Sequence, residues 1–222
     1  VRFRVNVPRT LGRRYVEGRM IVWARAGLAV LGLSLVAVWP AMAQPVTTVY
    51  SRIDDTCSER ALPDDPVVEI RCGAPGSWQI ILYASDHGAS VTYQSGRGLS
   101  SQPLSPPSRA LFGAFHTVIE WREIVGQPFA TIHRYYHDTP SEMTGGETQA
   151  YQTLMVTALR PETAETACVV AFVDASSLGD ANAVARDVAD RLSRGWDCAL
   201  DPIWVDADLP SVDAYIARMG HH

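Results

Sequence analysis

His133 and His137 stand four residues apart with Asp138 beside the second, and on a helix two imidazoles at that interval would face one zinc ion. The segment that carries them alternates as an extended chain does, and four residues of strand span roughly 13 Å, too far for one metal. They read as a sheet-face histidine and a loop histidine, and neither a metal nor any other cofactor is expected. His221 and His222 at the end of the chain carry no weight. The four cysteines, Cys57, Cys72, Cys168 and Cys198, lack any Cys-x-x-Cys spacing, which argues against a thiolate zinc site. An even count reads instead as two disulfides with three possible connectivities. The local pairing, Cys57 with Cys72 and Cys168 with Cys198, is preferred; it closes loops worth about 3 and 3.7 kcal/mol of chain entropy.

Hydrolytic chemistry has little to stand on. The chain contains no Gly-x-Ser-x-Gly string. Glycoside cleavage needs only two carboxylates at a suitable separation, and Asp86, Glu120 and Asp174 are candidates that read equally as turn or cross-strand residues. Recognition is better served. Glu120-Trp121-Arg122 and Arg134-Tyr135-Tyr136 place two arginines and several aromatics on one hairpin, the composition of a binding patch. The plainer reading packs Trp121 inward and sets Glu120 against Arg134 or Arg122 across the strands. Asp174, Asn182 and Arg186 would form a polar cluster at a strand-to-helix corner. The candidate patch is therefore Trp121, Arg122, His133, Arg134, Tyr135, Asp174, Asn182 and Arg186.

These residues must be positioned by strands. Thr47 to Ile53, Val67 to Cys72, Trp78 to Ala84 and Ala89 to Gln94 are separated by turn residues and read as an antiparallel meander. A Ser, Gly and Pro-rich loop follows from Ser95 to Ser108. Thr117 to Glu123 and Phe129 to Tyr136 then flank Val125-Gly126-Gln127-Pro128 as a hairpin, with Phe129, His133 and Tyr135 expected on one face. Tyr151 to Leu159 and Cys168 to Val173 read as two more strands, the second an unbroken apolar run suited to burial on both faces. Asp180 opens a helix whose stripe is Ala181, Val184, Ala185, Val188 and Leu192, with Gly195 as its stop. Arg186 with Asp190, Asp187 with Arg191 and Asp190 with Arg194 are pairs four apart on its outer side. Val212, Tyr215, Ile216 and Met219 suggest a last short helix. The expected fold is α+β, an antiparallel sheet of about eight strands with one main C-terminal helix packed on it, braced by two disulfides.

Met20 to Gln44 has the parts of a secretory signal: Arg25, an uncharged core, and Ala41-Met42-Ala43 before the cut. The apolar run from Ala26 to Trp39 is shorter than the roughly 20 residues of a membrane span, so cleavage near Ala43/Gln44 would leave no span. Residues 1–19 read as an over-extended leader, 20–43 as the signal and 44–222 as a single domain, periplasmic or secreted. There is no lysine, and residues 44–222 carry 12 arginines against 23 carboxylates. Such acidity argues against nucleic acid, whose phosphates need a basic face. It suits a basic protein or an envelope component as partner.

Ile119-Glu120-Trp121-Arg122, Gly126 to Ile132, Val173-Asp174-Ala175 leading into Asp180-Ala181-Asn182-Ala183, and Arg186 together resemble small exported proteins of proteobacteria. Cysteine-flanked segments around Cys72 and from Cys168 to Cys198 fit the same pattern. The helix after Asp208 is an addition relative to that group. The group has no established activity, so the resemblance assigns no functional residue. The expected function is a non-enzymatic binding or interaction module, for example an inhibitor of a basic envelope hydrolase. The alternatives are a carboxylate-dependent hydrolase of envelope polymers and a structural part of an envelope complex.

Overall fold

A strand whose residues are all buried needs a packed layer on each side, and all eight residues of Ala167–Asp174 are buried. Those two layers define the architecture of the computed structural model, which describes residues 44–219 apart from 55, 64, 147 and 148. The leader, the signal segment, His221 and His222 lie outside the described residues. In chain order the elements are β1 (Val46–Arg52), β2 (Ser58–Ala61), β3 (Val67–Gly73), β4 (Gln79–Ser85), β5 (Ala89–Gln94), β6 (Phe112–Ile124) and β7 (Gln127–Thr139). They continue with the single turn α1 (Ser141–Thr144), β8 (Gln149–Leu159), β9 (Ala167–Asp174), α2 (Ala181–Leu192), β10 (Ile203–Val205) and α3 (Val212–Met219). Among the described residues no helix is long and apolar enough to cross a membrane.

The α+β class and both disulfides are present, but the single eight-stranded sheet is not. Among the described residues ten strands form two sheets, one ordered β1-β6-β7-β8-β9-β10 and the other β2-β3-β4-β5. Helices α2 and α3 cover one face of the larger sheet, where Ile132, Leu154, Val156, Val170 and Val173 meet Ala185, Val188 and Val212. The smaller sheet covers the other face, where Ile119, Trp121, Met155 and Phe172 meet Ile80, Leu82, Val91 and Tyr93. The β3–β4–β5 meander is as expected, but β1 belongs to the other sheet, antiparallel to β6. The last strand departs from antiparallel pairing altogether. Helix α2 carries the chain back along the sheet, so β10 runs parallel to β9 as a crossover connection requires.

Two irregularities re-aim side chains. Ile124 and Gln127 close a two-residue turn in which Val125 and Gly126 both have positive φ, 52° and 70°, the conformation that matches the twist of the flanking strands. Beyond it Arg122 pairs with Ala130 and Glu123 with Pro128, so Phe129 is one residue extra and bulges. That bulge turns Phe129 into the helix-side core, away from the face it was expected to share with His133 and Tyr135. In the second irregularity, His116, Thr117 and Val118 of β6 lie opposite the single residue Arg134 of β7.

The disulfides join Cys57 to Cys72 and Cys168 to Cys198, the preferred local pairing. The first anchors the passage between β1 and β2 to β3; the second ties the exit of α2 to the start of β9. On α2 only one expected outer pair forms, Arg191 with Asp187 at 3.2 Å. Arg186 and Asp190 turn instead to the sheet, where the largely buried Glu120 and Arg122 offer partners of opposite sign. Asp180 sits at the N-cap position without a side-chain cap bond.

Candidate functional site

A cleft of about 660 Å³ opens at one end of the space between the sheets. The β4–β5 turn, the start of β6, β7 and the Ser105 to Ser108 stretch of the long loop form its walls. Phe112, Tyr83, Tyr135 and Phe172 supply aromatic surface, and Ser85, Ser90, Ser105, Ser108, His87 and His137 supply polar atoms. No Asp, Glu, Lys or Arg lines it. Gly113 makes the architecture possible, since a Cβ there would lie 2.3 Å from the Tyr135 ring. The ring passes over that glycine, and its hydroxyl accepts the Ala89 N–H at 3.2 Å, pinning the smaller sheet to the larger. On the rim the His87 ring stacks on Phe112, 5.8 Å between centroids and 7° from parallel.

Beneath the cleft, His137 belongs to a built polar cluster. His137 Nδ1 accepts the Arg109 N–H at 3.4 Å, which leaves the ring hydrogen on Nε2 to be donated to Thr153 Oγ1 at 3.0 Å. Burial, followed by the nearby Arg109 charge, holds the His137 pKa below the ordinary histidine value, with Asp174 acting in the opposite sense. The Arg109 guanidinium lies over the Tyr151 ring at 4.5 Å and the Trp204 ring at 5.7 Å. Its Nη1 comes within 2.9 Å of Asp174 Oδ2 without hydrogen-bond alignment, so the pair is held by charge. Both nitrogens of His137 are thus occupied, and neither is available as a base.

His133 lies on the same face of β7, fully buried and stacked on Phe115 at 4.3 Å. Its Nε2 donates to the His116 carbonyl at 2.7 Å, while Nδ1 has no partner, and burial drives its pKa down to about 4. This bond belongs to the accounting of the wide irregularity in β6. The His116 carbonyl takes His133, the Val118 N–H goes to His116 Nδ1 at 3.0 Å, and the Thr117 carbonyl takes the Ile53 N–H at 2.7 Å. Four residues apart on one strand, His133 and His137 have separate partners and share no ligand.

On the opposite face the same irregularity opens a smaller pocket of about 260 Å³ between β6, β7 and α2. Arg186 grips Glu120 with both arms, at 2.7 and 2.9 Å, and this carboxylate raises the Arg186 pKa. Arg122 grips Asp190 at 2.8 and 2.6 Å, reaches Glu120 at 3.6 Å and donates to Thr48 Oγ1. Arg134 differs from both. Its Nη1 donates to Gln152 Oε1 at 2.6 Å and its Nη2 to Asn182 Oδ1 at 2.9 Å, both neutral amides.

The eight predicted patch residues are therefore divided among four places. Arg134, Asn182 and Arg186 meet in the helix-side pocket, with Arg122 beside them. Tyr135 walls the cleft and Asp174 lies under it. Trp121 is core, fully buried, edge-on to Tyr93 and donating from Nε1 to Ser51 Oγ at 2.8 Å. His133 is interior. The corner cluster of Asp174 with Asn182 and Arg186 does not form, because Asp174 faces Arg109 and the Ser176 N–H while the other two face the helix-side pocket. The three candidate carboxylates are likewise apart: Asp86 is exposed in the β4–β5 turn, and Glu120 and Asp174 are each matched by arginine. Arg109, Phe112, Gly113, His87 and His116 were not anticipated. Their available signals were a glycine inside the Phe-Gly-Ala-Phe strand and Pro106-Pro107-Ser108-Arg109 in a loop too long to be a simple connection. No protein-family model, no curated protein and no solved structure matches this chain, so both sites stand on their own residues.

Proposed function

We propose that the chain is an exported, non-enzymatic binding protein that holds a neutral, partly apolar ligand in the cleft between its sheets. The observation that carries this is a cleft lined by aromatic rings, serines and a neutral histidine, within residues 44–222 whose 12 arginines are outnumbered by 23 carboxylates. Its volume of about 660 Å³ is within the range of small-molecule sites. Tyr, Phe and His ring faces suit the apolar face of a ligand, and the serine and tyrosine hydroxyls suit its polar edge. Export is supported by four cysteines all joined in disulfides, which persist in oxidising compartments. Hydrolysis by paired carboxylates is less well served, since Glu120 and Asp174 are matched to arginine and His137 has no free nitrogen. An inhibitor of a basic hydrolase would rest on net charge alone.

The test is a calorimetric screen of neutral saccharides and small aromatic amides against the oxidised protein, repeated with Ser90→Trp, which fills the cleft without removing a hydrogen bond described above. Saturable binding to the wild type that is lost in a folded Ser90→Trp protein is expected. Binding untouched by Ser90→Trp, or turnover of any such compound, would overturn the proposal.

A further inference from the structure

The geometry points to a second site, on the helix face of the larger sheet, that binds a phosphate-type oxyanion against Arg134 with His116 and Tyr50 as neighbouring donors. Three other arginines that meet the larger sheet, Arg109, Arg122 and Arg186, are matched to carboxylates, Asp174, Asp190 and Glu120 respectively. Arg134 is oriented by two amide oxygens instead, which fix its fork without cancelling its charge. Around it three guanidinium groups, Arg122, Arg134 and Arg186, face two carboxylates, Glu120 and Asp190. The pocket therefore keeps one positive charge in a strongly acidic chain. A tie between α2 and the sheet would have needed no such excess.

The donors are complementary. A guanidinium has five N–H groups, and Arg134 spends two on the amides. His116 accepts at Nδ1, so its hydrogen is on Nε2, which has no protein partner among the described residues. The Tyr50 hydroxyl accepts from Arg186 at 3.4 Å and keeps its own hydrogen to donate. The wide irregularity opposite Arg134 supplies the room, about 260 Å³, enough for a small anion or the head of a phosphate ester. Arginine forks match phosphate oxygens in pairs. The site lies on the face away from the inter-sheet cleft and stands or falls independently of it.

Inorganic phosphate is titrated into the oxidised protein at constant ionic strength while the Arg134 Nε–H and His116 ring resonances are followed. A parallel arm measures co-sedimentation with phosphatidylglycerol vesicles against phosphatidylcholine. We expect saturable shifts or anion-dependent sedimentation that weaken about tenfold or more in Arg134→Gln, as loss of a charge-assisted pair implies, less in Arg134→Lys, and not at all in Arg194→Gln. A response to phosphate names free phosphate as the source; a response to vesicles alone names a lipid headgroup. No response in either arm, or a response equal in wild type and Arg134→Gln, overturns the inference. Should Arg134→Gln fail to fold, the Arg134→Lys comparison and the wild-type Arg134 resonance decide.

Discussion

The two faces of the larger sheet use the same strands for opposite chemistry. Alternate residues of β6 and β7 send Trp121, His133 and Tyr135 toward the smaller sheet and Glu120, Arg122 and Arg134 toward α2. The first face is joined by rings and keeps its histidines neutral, with one internal ion pair, Arg109 with Asp174, under the cleft. The second is joined by charge, with carboxylates and guanidinium groups meeting under a helix. The cleft is where the neutral face opens to solvent; the small pocket is where the charged face has one cation more than its anions match.

The strongest way to break this contrast is to empty the neutral face. Trp121→Ala leaves a cavity between the sheets and is expected to cost about 3–5 kcal/mol, read from the urea midpoint. Acid attacks the same face next. His133 titrates near 6.5 when unfolded and at about 4 when folded, so the unfolded chain binds more protons between those values. Its contribution is whole above about pH 6.5 and is lost as pH falls toward 4, by about 3 kcal/mol. The lowered pKa of His137 acts in the same direction. His133→Leu should flatten much of that slope in a series of urea titrations from pH 7 to 4; an unchanged slope would assign it elsewhere.

The charged face should be less costly to disturb. Glu120→Gln strands Arg186, while Arg122 keeps Asp190; Arg186 is 41% exposed, so solvent recovers part of the loss and about 2 kcal/mol is expected. Added salt should narrow that gap and leave the Trp121→Ala gap unchanged. Val125→Asn touches neither face. It replaces a β-branched residue at φ 52° with one that tolerates the left-handed region, and should raise stability by about 0.5–1 kcal/mol without altering binding at either pocket.

What could be read beforehand follows the same division. The stripe of α2, the β6–β7 hairpin and the burial of β9 on both faces were legible, because each is written in neighbouring residues. The second layer was implied by β9 but not drawn out of it. Ser58–Ala61 is exposed and has no apolar alternation, and Ile203–Val205 is only three residues, so neither announced a strand. Phe129 shares its parity with His133, and only the bulge, a matter of pairing, turns it over. The polar residues of β6, β7 and α2 can be picked out by type, but which cation meets which anion depends on a helix docking across a sheet. The cleft was the least legible, since Gly113, Tyr135 and Arg109 acquire their roles only when distant segments meet.

The position of β1 has a consequence in time. Among the described residues its one strand partner is β6, and the whole of the smaller sheet lies between them in sequence. The strands of the smaller sheet pair with their neighbours in order, and Cys57–Cys72 can close within that stretch. A chain emerging from its N-terminal end would therefore be expected to assemble the smaller sheet first and keep β1 waiting, an unpaired edge for as long as β6 is absent. Pulse-labelled refolding should show amide protection in β3 and β4 before β1. Arg52, exposed at the end of β1, leaves a charge on that waiting edge, which disfavours pairing with another copy.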